Sequence, residues 1–235
     1  MSQIKEVFFD GRVAMVEALV THLAETLKQA VAEQGQGVML VSGGSSPQPV
    51  YEALSQKDLP WSAISIVLVD ERWVDVDHPA SNEAFIRRHL LAGAASSARF
   101  FGMKTSAASP QAGQRECEQR LAVLPAQADI CLLGMGNDGH TASLFPYAQG
   151  LTEALYGNQR CAAIVAEQSE VTGEHTERMT LTAPHLLAAK QRVLMMTGDE
   201  KLSTYRKAAN GKDIEAMPVR AILNASEPVS VFWSP

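Results

Sequence analysis

The strongest constraint on this chain is a pattern met three times: a short, almost wholly apolar run that stops abruptly at glycines or charges. Val38-Met39-Leu40-Val41 runs into Ser42-Gly43-Gly44-Ser45-Ser46-Pro47, and Ile64-Ser65-Ile66-Val67-Leu68-Val69 runs into Asp70-Glu71-Arg72-Trp73. Ile130-Cys131-Leu132-Leu133 runs into Gly134-Met135-Gly136-Asn137-Asp138-Gly139-His140-Thr141. A strand with one wet face alternates apolar and polar residues, so a continuous apolar strand is one covered on both faces, as in a parallel sheet between helical layers.

The intervening segments have the period of helices. Val13, Val16, Val20, Leu23, Leu27 and Val31 fall at steps of three and four across residues 13–33, and Gly35 ends the pattern. Ser81 is positioned to cap a helix carrying Phe85, Ile86, Leu90 and Leu91, residues 111–124 form another stopped by Pro125, and residues 184–190 a short one. A further helix starts at or near Asp199. Weaker strand signals cover residues 99–103, 161–166, 178–182, 193–197 and 229–233. With no fixed-period repeat, low-complexity tract or long linker, the alternation predicts one α/β domain over residues 1–235: a three-layer α/β/α arrangement, a mainly parallel Rossmann-like sheet with helices on both faces. Ligands of such sheets bind at the carboxyl ends of the strands, where all three polar segments fall.

Composition narrows the ligand. A net charge of -6 leaves no electrostatic footprint for nucleic acid, so an anionic substrate needs a local cluster of cations. Cys117, Cys131 and Cys161 are odd in number and lack CxxC spacing, which argues for reduced thiols and a cytoplasmic location, and no apolar run has the length of a membrane span.

Gly134, Gly136 and Gly139 satisfy GxGxxG after a strand, the fingerprint of a dinucleotide site. That reading fails on context: the fingerprint needs a helix to begin inside the motif, whereas Asp138 and His140 fill the turn and Pro146 follows closely. A lone histidine commonly just hydrogen-bonds its loop. Here an acid two residues away, flanking glycines and a strand end favour a base or proton shuttle at His140. The 42–47 loop reads either as a tight turn with Ser46 as N-cap and Pro47 at the first helical position, or as an anion site built on the amides of Gly43, Gly44 and Ser45. Arg72, Arg178 and Lys201 fall near strand ends or a first helical turn, which adds the cations an anion site requires. Asp70 and Glu71 fall at a strand end that faces the crevice and read either as a solvated strand end or as partners of Arg72, the commoner fate of adjacent charges, with one of the two serving the site. A serine nucleophile is disfavoured, since GxSxG is absent.

Taken together, residues 41–47, residues 69–74 and the run Asp138-Gly139-His140-Thr141-Ala142-Ser143-Leu144-Phe145-Pro146 resemble the 6-phosphogluconolactonase family. The last run resembles the lactonase form of a loop shared with glucosamine-6-phosphate deaminases, which carry a glutamate where this chain has Leu144-Phe145. Ser81-Asn82 and residues 178–182 are supporting matches, while residues 170–177 depart from the family pattern. The resemblance implies hydrolysis of 6-phospho-D-glucono-1,5-lactone in the oxidative pentose phosphate pathway, coupled to glucose-6-phosphate dehydrogenase, by a cytoplasmic monomer or weak homodimer. It implies His140 as general base and acid, Asp138 and Asp70 as its companions, and Gly43, Gly44, Ser45, Arg72, Arg178 and Lys201 as substrate and phosphate contacts. No metal or organic cofactor is implied, because a lactone is already reactive and an imidazole of ordinary pKa, about 6.5, suits a base near neutral pH. The competing readings are a deaminase with Asp70 as proton-transfer base and a non-catalytic sugar-phosphate sensor domain; the absence of a helix-turn-helix or basic extension counts against the sensor.

Overall fold

The computed structural model describes residues 4–235; residues 1–3, counted within the expected domain, lie outside the described residues. Its main sheet has seven strands: β1 (Ile4–Phe8), β2 (Gly37–Val41), β3 (Ile64–Leu68), β5 (Arg99–Phe101), β6 (Ile130–Leu133), β9 (Gln191–Thr197) and β10 (Val229–Ser234). The order is β1-β10-β9-β6-β2-β3-β5 and every neighbouring pair is parallel. Strands β2, β3 and β6 are buried along their whole length, the outcome that their unbroken apolar runs require. Helix α1 (Arg12–Gln34) buries Leu19, Leu23 and Leu27 at steps of four and ends on Gly35, whose φ of 73° is left-handed and whose amide closes onto the Val31 carbonyl.

From β2 the chain winds outward through β3 to β5, and from β6 it winds the other way through β9 to β10. The winding therefore reverses between β2 and β6, which pair through Met39↔Ile130, Leu40↔Cys131 and Val41↔Leu132. Loops leaving the carboxyl ends of those two strands diverge and open a crevice. The glycine segments 42–47 and 134–141 are these loops.

A second, three-stranded sheet was outside the expectation. It joins β4 (Asp70–Arg72), β8 (Glu177–Leu181) and β7 (Cys161–Val165) in the order β4-β8-β7, with both pairs antiparallel. The charged stretch after β3 is thus a strand in its own right, formed because its backbone pairs with residues 178–180. Strand β1 was also unforeseen: Ile-Lys-Glu-Val-Phe lacks an apolar run because it is an edge strand, and edge strands carry charge that discourages further pairing.

Several helix bounds differ from expectation. Residues 110–121 form α4 (Pro110–Leu121), started by Ser109, whose hydroxyl accepts from the Ala112 amide at 3.3 Å. Helix α2 (Gln48–Ser55) begins after Pro47, so Ser46 does not cap it; residues 45–47 are a turn that detaches the glycine loop from the helix. Helix α3 (Asn82–His89) is capped by Ser81 as expected. The short α5 (Leu151–Tyr156) and α6 (Ala183–Leu187) precede β7 and β9, α7 (Asp199–Ala209) starts where predicted, and α8 (Arg220–Leu223) leads to β10.

Candidate active site

A cavity of about 510 Å³ opens at the reversal point and is lined by both glycine loops, by Asp70, Arg72 and Arg178 of the small sheet, and by Lys201. Among its lining residues are His140, Gly43, Gly44 and Ser45, so every predicted site residue except Asp138 reaches it directly. Asp138 reaches it through His140: its Oδ1 lies 2.6 Å from the imidazole Nδ1 and accepts the His140 amide at 3.0 Å. Burial pushes the Asp138 carboxyl up, but the hydrogen bond and charge of His140 outweigh it and hold the carboxyl below its ordinary value. A carboxylate only accepts, so Nδ1 carries the proton and Nε2 is left with its lone pair.

The glycines of this loop serve the histidine more than a ligand. A Cβ at Gly136 would overlap the imidazole, and the Gly136 amide donates to the His140 carbonyl at 3.0 Å. No helix begins in the motif, as the objection to a dinucleotide site requires: residues 137–139 turn, and an isolated bridge joins Thr141 to Leu144. At the second loop a Cβ on Gly43 would strike the side-chain oxygen of Asn82, so that glycine is fixed by close approach. Arg12, unremarked in the sequence, donates to the carbonyls of Ser45 and Ser46 at 3.3 and 3.2 Å and holds the loop from outside. The amides of Gly43, Gly44 and Ser45 have no acceptor among the described residues.

The small sheet brings charge. Arg72 and Arg178 stand directly opposite each other in the β4–β8 register. Arg178 is buried, its Nε donating to the His175 carbonyl at 2.6 Å and its Nη2 to that of Thr172 at 2.8 Å. Burial and then the neighbouring Arg72 charge lower its pKa to about 10. Arg72 donates from Nη1 to the Ala80 carbonyl at 2.7 Å, while its Nε is buried without a partner among the described residues. Neither arginine pairs with a carboxylate among the described residues. Lys201 sits in the first turn of α7 behind Asp199 and Glu200, and burial lowers its pKa. These unpaired cations, one with an orphaned donor, are a place for an anion.

Asp70 and Glu71, adjacent in sequence, take opposite directions. Asp70 lines the cavity, accepting the Ser143 hydroxyl at 2.6 Å and the Asn82 side-chain amide at 3.2 Å, and does not touch the imidazole. Glu71 neither faces the crevice nor pairs with Arg72 through its side chain. Its buried carboxylate accepts the amides of Arg72, Asn82 and Glu83 and the Ser81 hydroxyl at 2.7 to 3.0 Å, capping α3 from behind the site. Burial pushes its pKa up to about 7 in spite of those four donors. Alternation along β4 was the available signal: two strand neighbours point to opposite faces.

Sequence reasoning missed Asn82 as a site residue, Phe145 and Met195 as walls, and Ser143 as the support of Asp70. Glu170 and Val171, from the stretch that departs from the family pattern, also line the cavity. Ala142 has a left-handed φ of 51°, which lets His140 face the cavity while Ser143 turns to Asp70. Among the described residues no group of three or more His, Cys, Asp or Glu is placed to hold a metal ion, and no helix is long and apolar enough to cross a membrane.

Residues 10–233 match the family model described as glucosamine-6-phosphate isomerases/6-phosphogluconolactonase. The chain is 43% identical over 219 residues to a 6-phosphogluconolactonase of Pseudomonas aeruginosa, covering 92% of this chain and 89% of that protein. A 6-phosphogluconolactonase of Pseudomonas putida is 38% identical over 223 residues, with 94% and 89% covered. The crystal structure of a 6-phosphogluconolactonase from Shewanella baltica superposes with a TM-score of 0.93 at 38% identity, covering all of this chain and 98% of that one.

Proposed function

The chain belongs to the glucosamine-6-phosphate isomerase/6-phosphogluconolactonase family, and from that premise we infer that it hydrolyses 6-phospho-D-glucono-1,5-lactone to 6-phosphogluconate. The observation that carries the assignment of roles is the 2.6 Å pairing of His140 with Asp138 beside two guanidiniums that have no carboxylate partner among the described residues.

Water attacks C1 of the lactone while Nε2 of His140 takes its proton, and the carbonyl electrons move onto the C1 oxygen. Asp138 keeps the imidazole in the tautomer that leaves Nε2 free and stabilises the imidazolium that forms. When the tetrahedral intermediate collapses, the C1–ring oxygen bond breaks and the ring oxygen takes the proton back from Nε2. The resulting carboxylic acid releases its own proton to solvent. Arg72, Arg178 and Lys201 hold the 6-phosphate, and the free amides of Gly43, Gly44 and Ser45 serve the phosphate or the oxyanion. Asp70, braced by Ser143 and Asn82, accepts sugar hydroxyls and leaves orientation of the base to Asp138. This chemistry asks for no metal or organic cofactor.

Residues 1–235 act as one domain, a reading supported by a hydrophobic core that runs through strands of both sheets. A cytoplasmic setting downstream of glucose-6-phosphate dehydrogenase is the place in metabolism that this activity supports, and a monomer or weak homodimer is the assembly that the family resemblance implies. The discriminating experiment measures phospholactone ring opening above the spontaneous rate alongside ammonia release from glucosamine 6-phosphate. Catalysed ring opening without ammonia is expected; ammonia release with no acceleration of ring opening would assign the chain to the deaminases.

A further inference from the structure

One aromatic ring touches two groups that the mechanism uses for different ends. The ring centroid of Phe145 lies 4.3 Å from that of His140, with the planes tilted by 30°. The guanidinium carbon of Arg178 sits 5.4 Å from the same centroid. Phe145 is 4% exposed, and its backbone is tied down on both sides, its amide donating to the Ser143 carbonyl at 3.1 Å and its carbonyl accepting the Ala148 amide at 3.2 Å. A ring so buried and tethered is a fixed object. An aromatic face attracts a guanidinium and packs against an imidazole, so both neighbours are held to it. Each is also braced from elsewhere: His140 by Asp138, and Arg178 by the carbonyls of Thr172 and His175.

We propose that Phe145 is a positioning residue whose ring sets the distance between His140 and Arg178, and so matches the enzyme to the separation of carbonyl and phosphate in its substrate. The proposal rests on the reading of His140 as base and Arg178 as phosphate ligand. Phosphate held on Arg178 then presents C1 to Nε2 at the attacking distance. Binding energy from the remote phosphate is converted into orientation at the reacting carbon, so loosening the spacer lowers turnover more than it weakens binding.

Phe145→Leu and Phe145→Met keep an apolar side chain and remove the aromatic face, whereas Phe145→Tyr keeps the face. With the phospholactone, Leu and Met are expected to lower kcat by about tenfold with KM within about twofold of wild type, and Tyr to recover kcat to within about threefold. Inorganic phosphate, as a competitive inhibitor, should keep its Ki within about twofold in all three, because the cations remain. Met decides the matter if Leu does not fold. Wild-type kcat in the Leu or Met variant would overturn the proposal, as would a Ki for phosphate that rises in parallel with the loss of kcat, since the ring would then only prop up the cation site. Full activity of His140→Ala would instead overturn the underlying reading; loss of activity in His140→Ala and Arg178→Ala, with Phe145 variants indifferent, removes the spacer alone.

Discussion

At β2 and β6 the polar groups that reach the cavity come from loops: β6 lends only the apolar Leu132 and Leu133 to its wall, so chemistry waits until the chain has left the sheet. At β4 and β8 the strands themselves carry Asp70, Arg72 and Arg178 into the same space. The large sheet therefore supplies turns, free amides and an imidazole whose position depends on glycine, and the small one supplies charge in a fixed register. Directly opposed like charges weaken an antiparallel pair, and Arg72 faces Arg178 with no carboxylate paired to either among the described residues. Such a pair makes sense as a site completed by an anion. On the proposed roles, the base for the reacting carbon comes from the parallel sheet, and the two guanidiniums for the phosphate come from the antiparallel one.

The division breaks if variants from the two sheets behave alike. His140→Ala should lower kcat by roughly 10²–10⁴-fold with little change in KM, measured on the phospholactone at matched folding with spontaneous hydrolysis subtracted. Arg178→Ala should raise KM, weakening binding by about 1.5–3 kcal/mol, the range for a hydrogen bond to a charged group, and should lower kcat by a smaller factor than His140→Ala because phosphate binding orients C1. A variant of Arg178 that lost kcat alone would place that residue on the reacting carbon instead.

A subtler contrast is thermodynamic. Glu71, the buried carboxyl of the small sheet, titrates near 7 in the folded chain against an ordinary 4.5. Between those pH values the folded state holds a proton that the unfolded state has lost, so this group's contribution to stability is complete below pH 4.5 and is lost as pH rises through about 7. Urea unfolding of Glu71→Gln should remove up to about 1.4 kcal/mol per pH unit of that downward slope. An unchanged slope would mean that the four donors around Glu71 keep it ionised throughout. The smallest effect is expected at Arg72→Leu: loss of the opposed charge should raise the stability of the ligand-free protein by a few tenths to about 1 kcal/mol, read as a higher urea midpoint, and should cut the stabilisation that added phosphate confers.

The same contrast explains what could be read from the residues. Strands β2, β3 and β6 advertise themselves by apolar runs, and the loops after them by glycine, so the fold class was within reach of local pattern; of the nine site residues named from the sequence eight line the cavity, whereas Asn82, Phe145 and Met195 line it without having been named. The ninth, Asp138, was equally legible because it lies two residues from His140 and bonds to it. Of the small sheet, β7 and β8 left weak strand signals at residues 161–166 and 178–182, but neither β4 nor the pairing that makes them a separate sheet left a local trace. Asp70-Glu71-Arg72 becomes a strand only through partners far along the chain, and a charged triplet has no periodicity to betray that pairing. For the same reason the residues alone leave open which of the two adjacent acids serves the site; Asp70 lies in the cavity and Glu71 behind it, and the Ser143 hydroxyl, committed to Asp70, fits the absence of a serine-nucleophile motif. Ser46 failed as a cap because Pro47 precedes the helix and does not open it.

The left-handed backbone at Ala142 joins these two regions. On one side of it stands His140, on the other Ser143, which donates its hydroxyl to Asp70 and its amide to the Thr180 hydroxyl at 3.2 Å. A non-glycine residue at positive φ carries strain of roughly 1–2 kcal/mol. In evolutionary terms Ala142 is a pleiotropic position: glycine would relieve the strain without moving the chain, whereas a β-branched residue, which resists positive φ, would shift His140 and the support of Asp70 together, so the loop is open to smaller side chains and closed to larger ones.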